Sequence, residues 1–191
     1  DDDKGAGSGS VYVFVREGDT WSQQQKLTAH DAAEQDLFGT AVSLNGDTAL
    51  IGAYYDSNEN GYRAGSAYVF VREGGVWSQQ QKLTASDGAT VDYFGGSVSI
   101  CGDTALVGAR CDSDNGKYSG STYVFVREGG VWSQQQKLTP DDGDTYDQFG
   151  TRVLLREDTA LIGAHRDDDN GAEAGSVYVF VRDGRFLRQH K

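Results

Sequence analysis

Valine and isoleucine alternate with serine from Ser97 to Ile100, a period of two that marks a strand with one buried and one polar face. The turn Cys101-Gly102-Asp103 leads to TALVGA (Thr104 to Ala109), apolar on both faces, as a strand between two neighbouring sheets would be. A polar loop, Arg110 to Ser121, then reaches YVFV (Tyr123 to Val126), rich in β-branched and aromatic residues. Consecutive glycines at 129 and 130 suit the positive φ of a two-residue hairpin, and VWSQQQKL (Val131 to Leu138) returns as a fourth strand. Simple alternation places Trp132, Gln134, Gln136 and Leu138 on one side of that strand and Ser133, Gln135 and Lys137 on the other. A half-polar strand of this kind belongs at an outer edge.

The whole passage recurs. GSVYVFVREG at Gly9 returns with small changes at Gly65, Gly120 and Gly175, so one unit of about 55 residues is written four times. Four antiparallel strands per unit, inner ones apolar and small, predict an all-β chain: a β-propeller-type array of four-stranded blades. The expected divisions are a half blade with strands 3 and 4 alone at 1–29, then blades at 30–85, 86–140 and 141–191. Gly52-Ala53, Gly108-Ala109 and Gly163-Ala164 fall where blades crowd toward an axis. Trp21, Trp77 and Trp132 are expected to pack between blades, with a ligand-stacking platform as the other reading. The fourth unit reads as an atypical end, with Phe186 in place of the tryptophan.

Composition narrows the partners. The 191 residues include 26 Gly, one Pro and no Met, with 37 % hydrophobic content and a net charge of -12. Such a polyanion disfavours nucleic acid and anionic membranes, and no apolar run approaches the length of a membrane span. A sequence without an initiator Met is expected to be a processed or partial chain. Cys101 and Cys111 would stand roughly 25 Å apart at ~3.3 Å per residue along a hairpin, beyond the Cα separation of about 7 Å that a disulfide tolerates.

Phe38-Gly39, Phe94-Gly95 and Phe149-Gly150, each followed by Gly-Ala and then GSxYVF, resemble the FG-GAP repeats of integrin α-subunit propellers and of many secreted or surface proteins. The resemblance covers essentially the whole chain and implies a propeller with extracellular or cell-surface adhesive or scaffolding roles. Two features depart from it. The Pro of Gly-Ala-Pro is Tyr54, Arg110 or His165, and the calcium loop that many members carry is replaced by the short turns LNGDT, CGDT and REDT. DDDKGAGSGS at the N-terminus looks like a tag but matches DDDNGAEAGS (Asp167 to Ser176), and is read as the repeat's own loop. A seven-bladed member would need roughly 385 residues at ~55 per blade. Either more repeats precede Asp1, or separate chains meet through open blade edges.

Most of the 29 acidic residues fall in the loops between strands 2 and 3 or between blades, which a propeller gathers on one rim. DSNENG (Asp56 to Gly61) has the spacing of a calcium loop's first half. Asp56, Asn58, Asn60, Asp112, Asp114, Asp167 and Asp169 are therefore the candidate Ca2+ ligands, against a reading as solvated turns. Asp36, Asp92 and Asp147, two residues before each Phe-Gly, either close their loops onto backbone N–H groups or share in cation ligation. No catalytic set is expected: His30, His165 and His190 are unmatched between repeats. Two functional readings follow. One is a noncatalytic extracellular structural or adhesion scaffold, self-associating or part of a longer repeat protein. The alternative is a protein- or glycan-binding module using a calcium-loaded acidic rim with Tyr54, Tyr55, Tyr62 and Tyr118.

Overall fold

The computed structural model describes residues 1–190 and is all-β. A two-stranded sheet of β1 (Val11–Glu17) and β2 (Thr20–Leu27) is followed by three four-stranded antiparallel sheets. Blade 1 comprises β3 (Ala41–Asn45), β4 (Thr48–Ala53), β5 (Ser66–Glu73) and β6 (Val76–Leu83). Blade 2 comprises β7 (Phe94–Cys101), β8 (Thr104–Ala109), β9 (Ser121–Glu128) and β10 (Val131–Leu138). Blade 3 comprises β11 (Phe149–Arg156), β12 (Thr159–Ala164), β13 (Ser176–Asp183) and β14 (Phe186–Gln189). Each is a simple meander, and the first strands of successive blades lie side by side in an arc that does not close into a ring.

The Phe-Gly and Gly-Ala pairs have one physical reason. Each phenylalanine is buried edge-on against two aromatics of its own blade's third strand, as Phe94 is against Tyr123 and Phe125 at 5.5 and 6.0 Å. The glycine after it turns the backbone against the preceding blade. A Cβ on Gly95, at φ 89°, would lie 2.2 Å from the Ser66 carbonyl oxygen, and one on Gly52 would lie 1.9 Å from the carbonyl oxygen of Gly95. Only glycine permits this approach. Gly108 and Gly150 repeat it one blade on.

Alternation along the outer strand does not survive. A β-bulge at Gln24, Gln80 and Gln135 inserts one unpaired residue, so the side chains beyond it change face. Trp132 therefore packs backward against blade 1 with Phe125, while Leu138 packs forward against Phe149 of blade 3. The bulge also separates the roles of the three glutamines. The first, Gln79 or Gln134, reaches back to accept from a backbone N–H of the preceding linker, His30 or Ser86. The second, Gln24 or Gln80, accepts from the indole N–H of the next blade's tryptophan. The third, Gln25, Gln81 or Gln136, both donates to and accepts from the backbone of the next blade's Trp77, Trp132 or Leu187.

That pairing corrects the reading of the last repeat. Leu187, not Phe186, holds the tryptophan position: Asp183 pairs with Phe186 as Glu128 pairs with Val131, which leaves Leu187 buried and Phe186 exposed. The leucine side chain has no N–H in place of the indole's, and the amide oxygen of Gln135 is accordingly buried without a partner. Trp77 and Trp132 are buried between blades, whereas Trp21 is 64 % exposed. Both cysteines are free thiols.

Gly95→Ala places a methyl group against backbone rather than a movable side chain, so it is expected to destabilise the fold by about 2 kcal/mol or more. Gly102→Ala, with open space around its Cβ position but a φ of 57°, should cost only the left-handed backbone penalty of about 1 kcal/mol. Urea denaturation of the two variants measures the difference.

Candidate functional site

Strands 2 and 3 of each blade end beside the linker that entered it, which sets the acidic loops against each other. In blade 2 the Asp112 carboxylate, 1 % exposed, accepts from Ser121 Oγ at 3.1 Å and from Tyr123 OH at 2.9 Å. The ammonium of Lys137 completes its shell at 2.9 Å and also bridges to Asp114 at 2.7 Å and to Asp87 of the preceding linker at 2.8 Å. Blade 1 repeats the arrangement, with Lys82 between Asp56 at 3.0 Å and Asp31 at 2.7 Å, and Ser66 and Tyr68 on the same carboxylate. At the N-terminus Lys26 joins Asp1 and Asp3, while Tyr12 OH donates to Asp1. DDDK thus occupies the place of the loop between strands 2 and 3, and Phe38 N donates to Ser8 O as Phe149 N donates to Ser119 O.

These groups set one another's ionisation. Burial works against the charge on Lys137, but the hydrogen bonds it donates to Asp114, Asp87 and Asp112 outweigh that and hold its pKa above the ordinary value. Burial would raise Asp87, yet the Lys137 ammonium lowers it; Asp31 behaves likewise beside Lys82. Tyr123 is pushed up, first by burial and then by the Asp112 and Asp87 carboxylates, so it remains a donor. Asp36, Asp92 and Asp147 each accept from a backbone N–H three residues earlier, of Ala33, Ala89 and Asp144, at 2.6 Å. They close their linkers, and burial raises all three, Asp92 to about 6.

The predicted ligands do not converge as a calcium loop would need. Asn58 turns its amide nitrogen, a donor, toward Asp56, Gly65 O and Ser66 Oγ. Asn60 donates out of the loop to Ala85 O. Asp167 is engaged by Ser176 and Tyr178, while Asp169 is exposed. Among the described residues no group of three or more His, Cys, Asp or Glu side chains is arranged to hold a metal ion.

The tyrosines gather into two clusters with cations over their rings. Tyr54, Tyr55 and Tyr93 lie within 5.5 Å of one another, and Arg63 stands over Tyr55 at 4.1 Å and Tyr62 at 4.9 Å. Tyr118 meets Tyr146, with Lys117 over both. Tyr93 and Tyr146 were not singled out from sequence. The signal for them lies in their linkers, where Tyr93 follows and Tyr146 precedes the linker aspartate, Asp92 or Asp147, and both fall outside any strand pattern.

A family model described as FG-GAP repeat matches residues 21–70, 77–125 and 132–180. The chain belongs to the FG-GAP repeat family. Each matched FG-GAP unit begins at the tryptophan of one outer strand and ends in the third strand of the next blade, so it spans a blade junction rather than a blade. No curated protein matches the chain. The turns between strands 1 and 2, where the FG-GAP resemblance implies calcium loops in other members, hold Asp47, Asp103 and Asp158 against the guanidinium groups of Arg72, Arg127 and Arg182 at 2.6 to 2.9 Å. The residues at both ends of the blades therefore do not fit a resident calcium ion: a cation entering at Asp56 or Asp112 would have to displace an ammonium.

Two outcomes test this. Lys137→Met strands the buried Asp112 carboxylate and is expected to cost about 3 kcal/mol, and the melting temperature of the unaltered chain should be the same in millimolar calcium as in chelator. A rise of several degrees with calcium would overturn the assignment. Asp92→Asn keeps the acceptor for Ala89 N and removes a charge that the fold disfavours. Because the folded-state pKa lies above the ordinary carboxylate value, the penalty is fully present above about pH 6 and disappears below about pH 4. The variant should be more stable by about 1–2 kcal/mol at pH 7, with the difference vanishing in melts at pH 4.

Proposed function

We propose that this FG-GAP chain is a noncatalytic structural or adhesive scaffold of the extracellular or cell-surface kind, which works by associating blade to blade with itself or with further repeats. The observation that carries the reading is the face of the half blade. Tyr12, Phe14 and Trp21 are exposed there, although their equivalents Tyr68, Phe70 and Trp77 are all buried beneath the neighbouring blade. Val42 and Leu44 of β3 are exposed beside them, where Val98 and Ile100 of β7 are covered. Tyr12, Phe14, Val42 and Leu44, with Val11 and Ile51, line a mainly apolar groove of about 310 Å³.

Backbone chemistry supports the same reading. In the other blades the third strand pairs on both sides; β1 pairs with β2 alone, which leaves its inner edge open to a further strand. Leu154, Leu161 and Val177 are exposed on the forward side of blade 3, so apolar surface is present at both ends of the arc. Covering an aromatic or aliphatic side chain of this size is worth about 2 kcal/mol, and several in one patch are enough to drive association. The family's typical setting in surface and secreted proteins supports the proposed location.

Light scattering across a hundredfold concentration range should show the mass rising above that of the monomer. Acrylamide should quench Trp21 less as it does so, since Trp77 and Trp132 are already buried. Replacing Phe14 and Trp21 together by Arg should hold the chain monomeric without lowering its melting temperature. A wild-type chain that stays monomeric with Trp21 fully quenchable would defeat the proposal.

A further inference from the structure

Where repeats are nearly verbatim, the positions that differ are mostly ones not occupied with holding the blades together, although Ser97 Oγ does donate to Gly150 O of the next blade. Aligned on Gly-Ala, Tyr54, Arg110 and His165 are equivalent, and Tyr55, Cys111 and Arg166 follow them. On the first strands Ala41, Ser97 and Arg152 are equivalent. Five of these nine positions, Tyr54, Arg110, Ala41, Ser97 and Arg152, meet in one place. The first strands of the three blades pack side by side, and a polar cavity of about 420 Å³ opens at their tops, lined by Tyr54, Ser97, Arg110 and Arg152 with Val42 and Val98.

The charge there is opposite to that of the molecule. Arg72, Arg127, Arg182, Lys82 and Lys137 each hold an aspartate. Among the described residues Arg110 and Arg152, the two arginines that line the cavity, have no carboxylate within ion-pair distance, in a chain of 29 acidic residues. Arg110 is held in place from below, its guanidinium 5.2 Å from the ring centroids of both Tyr54 and Tyr93. Arg152 is exposed and donates to the carbonyl of Thr151. The His165 imidazole is depressed by burial and then by Arg166 and Arg110, with Glu173 opposing and Arg152 adding to the effect. Planar guanidinium groups left without an internal acid beside a cavity are matched by an oxyanion. The valine and tyrosine wall next to them suits an anion that carries a carbon skeleton.

We propose that the axial cavity binds a small carboxylate, held by Arg110 and Arg152 with its carbon skeleton against Tyr54, Val42 and Val98. The volume lies in the range of small-molecule sites.

Titration of the full chain with D-glucuronate, followed by backbone amide NMR and calorimetry, tests the site. Saturable binding is expected, with shifts at Gly96, Ser97 and Thr151. Arg152→Gln should weaken it about tenfold or more. Because Arg110 also packs on tyrosine, Arg110→Lys is the companion variant: it keeps a charge, loses the planar fork, and should weaken binding while the melting temperature stays within a few degrees. Arg156→Gln, at the far end of β11 and likewise without an ion-pair partner, should leave affinity unchanged. The proposal is overturned if binding is not saturable, or if Arg156→Gln weakens it as much as Arg152→Gln. It is equally overturned if D-glucose or inorganic phosphate binds as tightly as glucuronate.

Discussion

The close approach of backbone at each blade junction fixes everything else in the molecule. Where the oxygen of Gly95 sits against Gly52, and Gly95 itself against Ser66 O, no side chain can intervene. That contact sets how far apart successive sheets stand, and hence which side chains can span the gap. It is short enough for a glutamine amide to reach the neighbouring backbone and make the paired hydrogen bonds of a strand edge without a strand. It also brings each loop between strands 2 and 3 onto the incoming linker, where one lysine can bridge both. The motif is therefore a spacing device, and the polar chemistry of the rim follows from it.

A second consequence concerns charge. Loops brought together by the junction carry aspartates on both sides, and like charges confined to a rim oppose compaction. The chain answers with cations fixed in its own strands: lysine from the outer strand at one end of the blade, arginine from the third strand at the other. An ammonium tethered in the β-ladder has lost its conformational freedom along with the strand, so it fills the site at any external ion concentration. Burial of the carboxylates would be costly without it, and the serine and tyrosine hydroxyls satisfy the remaining oxygen lone pairs.

The strands were legible in the sequence because each carries its own periodicity, and the blade order because four copies of the text fix which runs belong together. The faces of the outer strand were not. A bulge depends on how Gln135 meets the opposing strand, and three identical glutamines carry no mark of which one is skipped. Acidic loops were legible as loops, but their counter-ions were not, since Lys137 lies 25 residues from Asp112 and reads locally as an edge-strand lysine. The spacing of DSNENG pointed to calcium because alternate side chains of a loop can converge on an ion. It could not show that Asn58 presents its nitrogen. The place of Leu187 was missed because Phe186 is aromatic like tryptophan, whereas backbone register assigns the position by counting from the turn.

Repetition itself becomes informative once the junction is understood. A residue repeated from unit to unit is accounted for by packing, by an inter-blade hydrogen bond or by a turn: the buried Trp77 and Trp132, the glutamines, the lysines and the glycines of the Phe-Gly and Gly-Ala pairs all have such a role. Residues that differ between units at the same structural position are released from that role, and their side chains can diverge without disturbing the blades. Tyr54, Arg110 and His165 occupy one position in three blades and share no structural duty, and two of them, Tyr54 and Arg110, line a common cavity with Arg152. Random drift on an acidic chain has no reason to leave two guanidinium groups beside one cavity without an acid, because each would gain from any nearby carboxylate. Their grouping at the axis, away from the aspartates of the rim, is the arrangement that a ligand of opposite charge would complete.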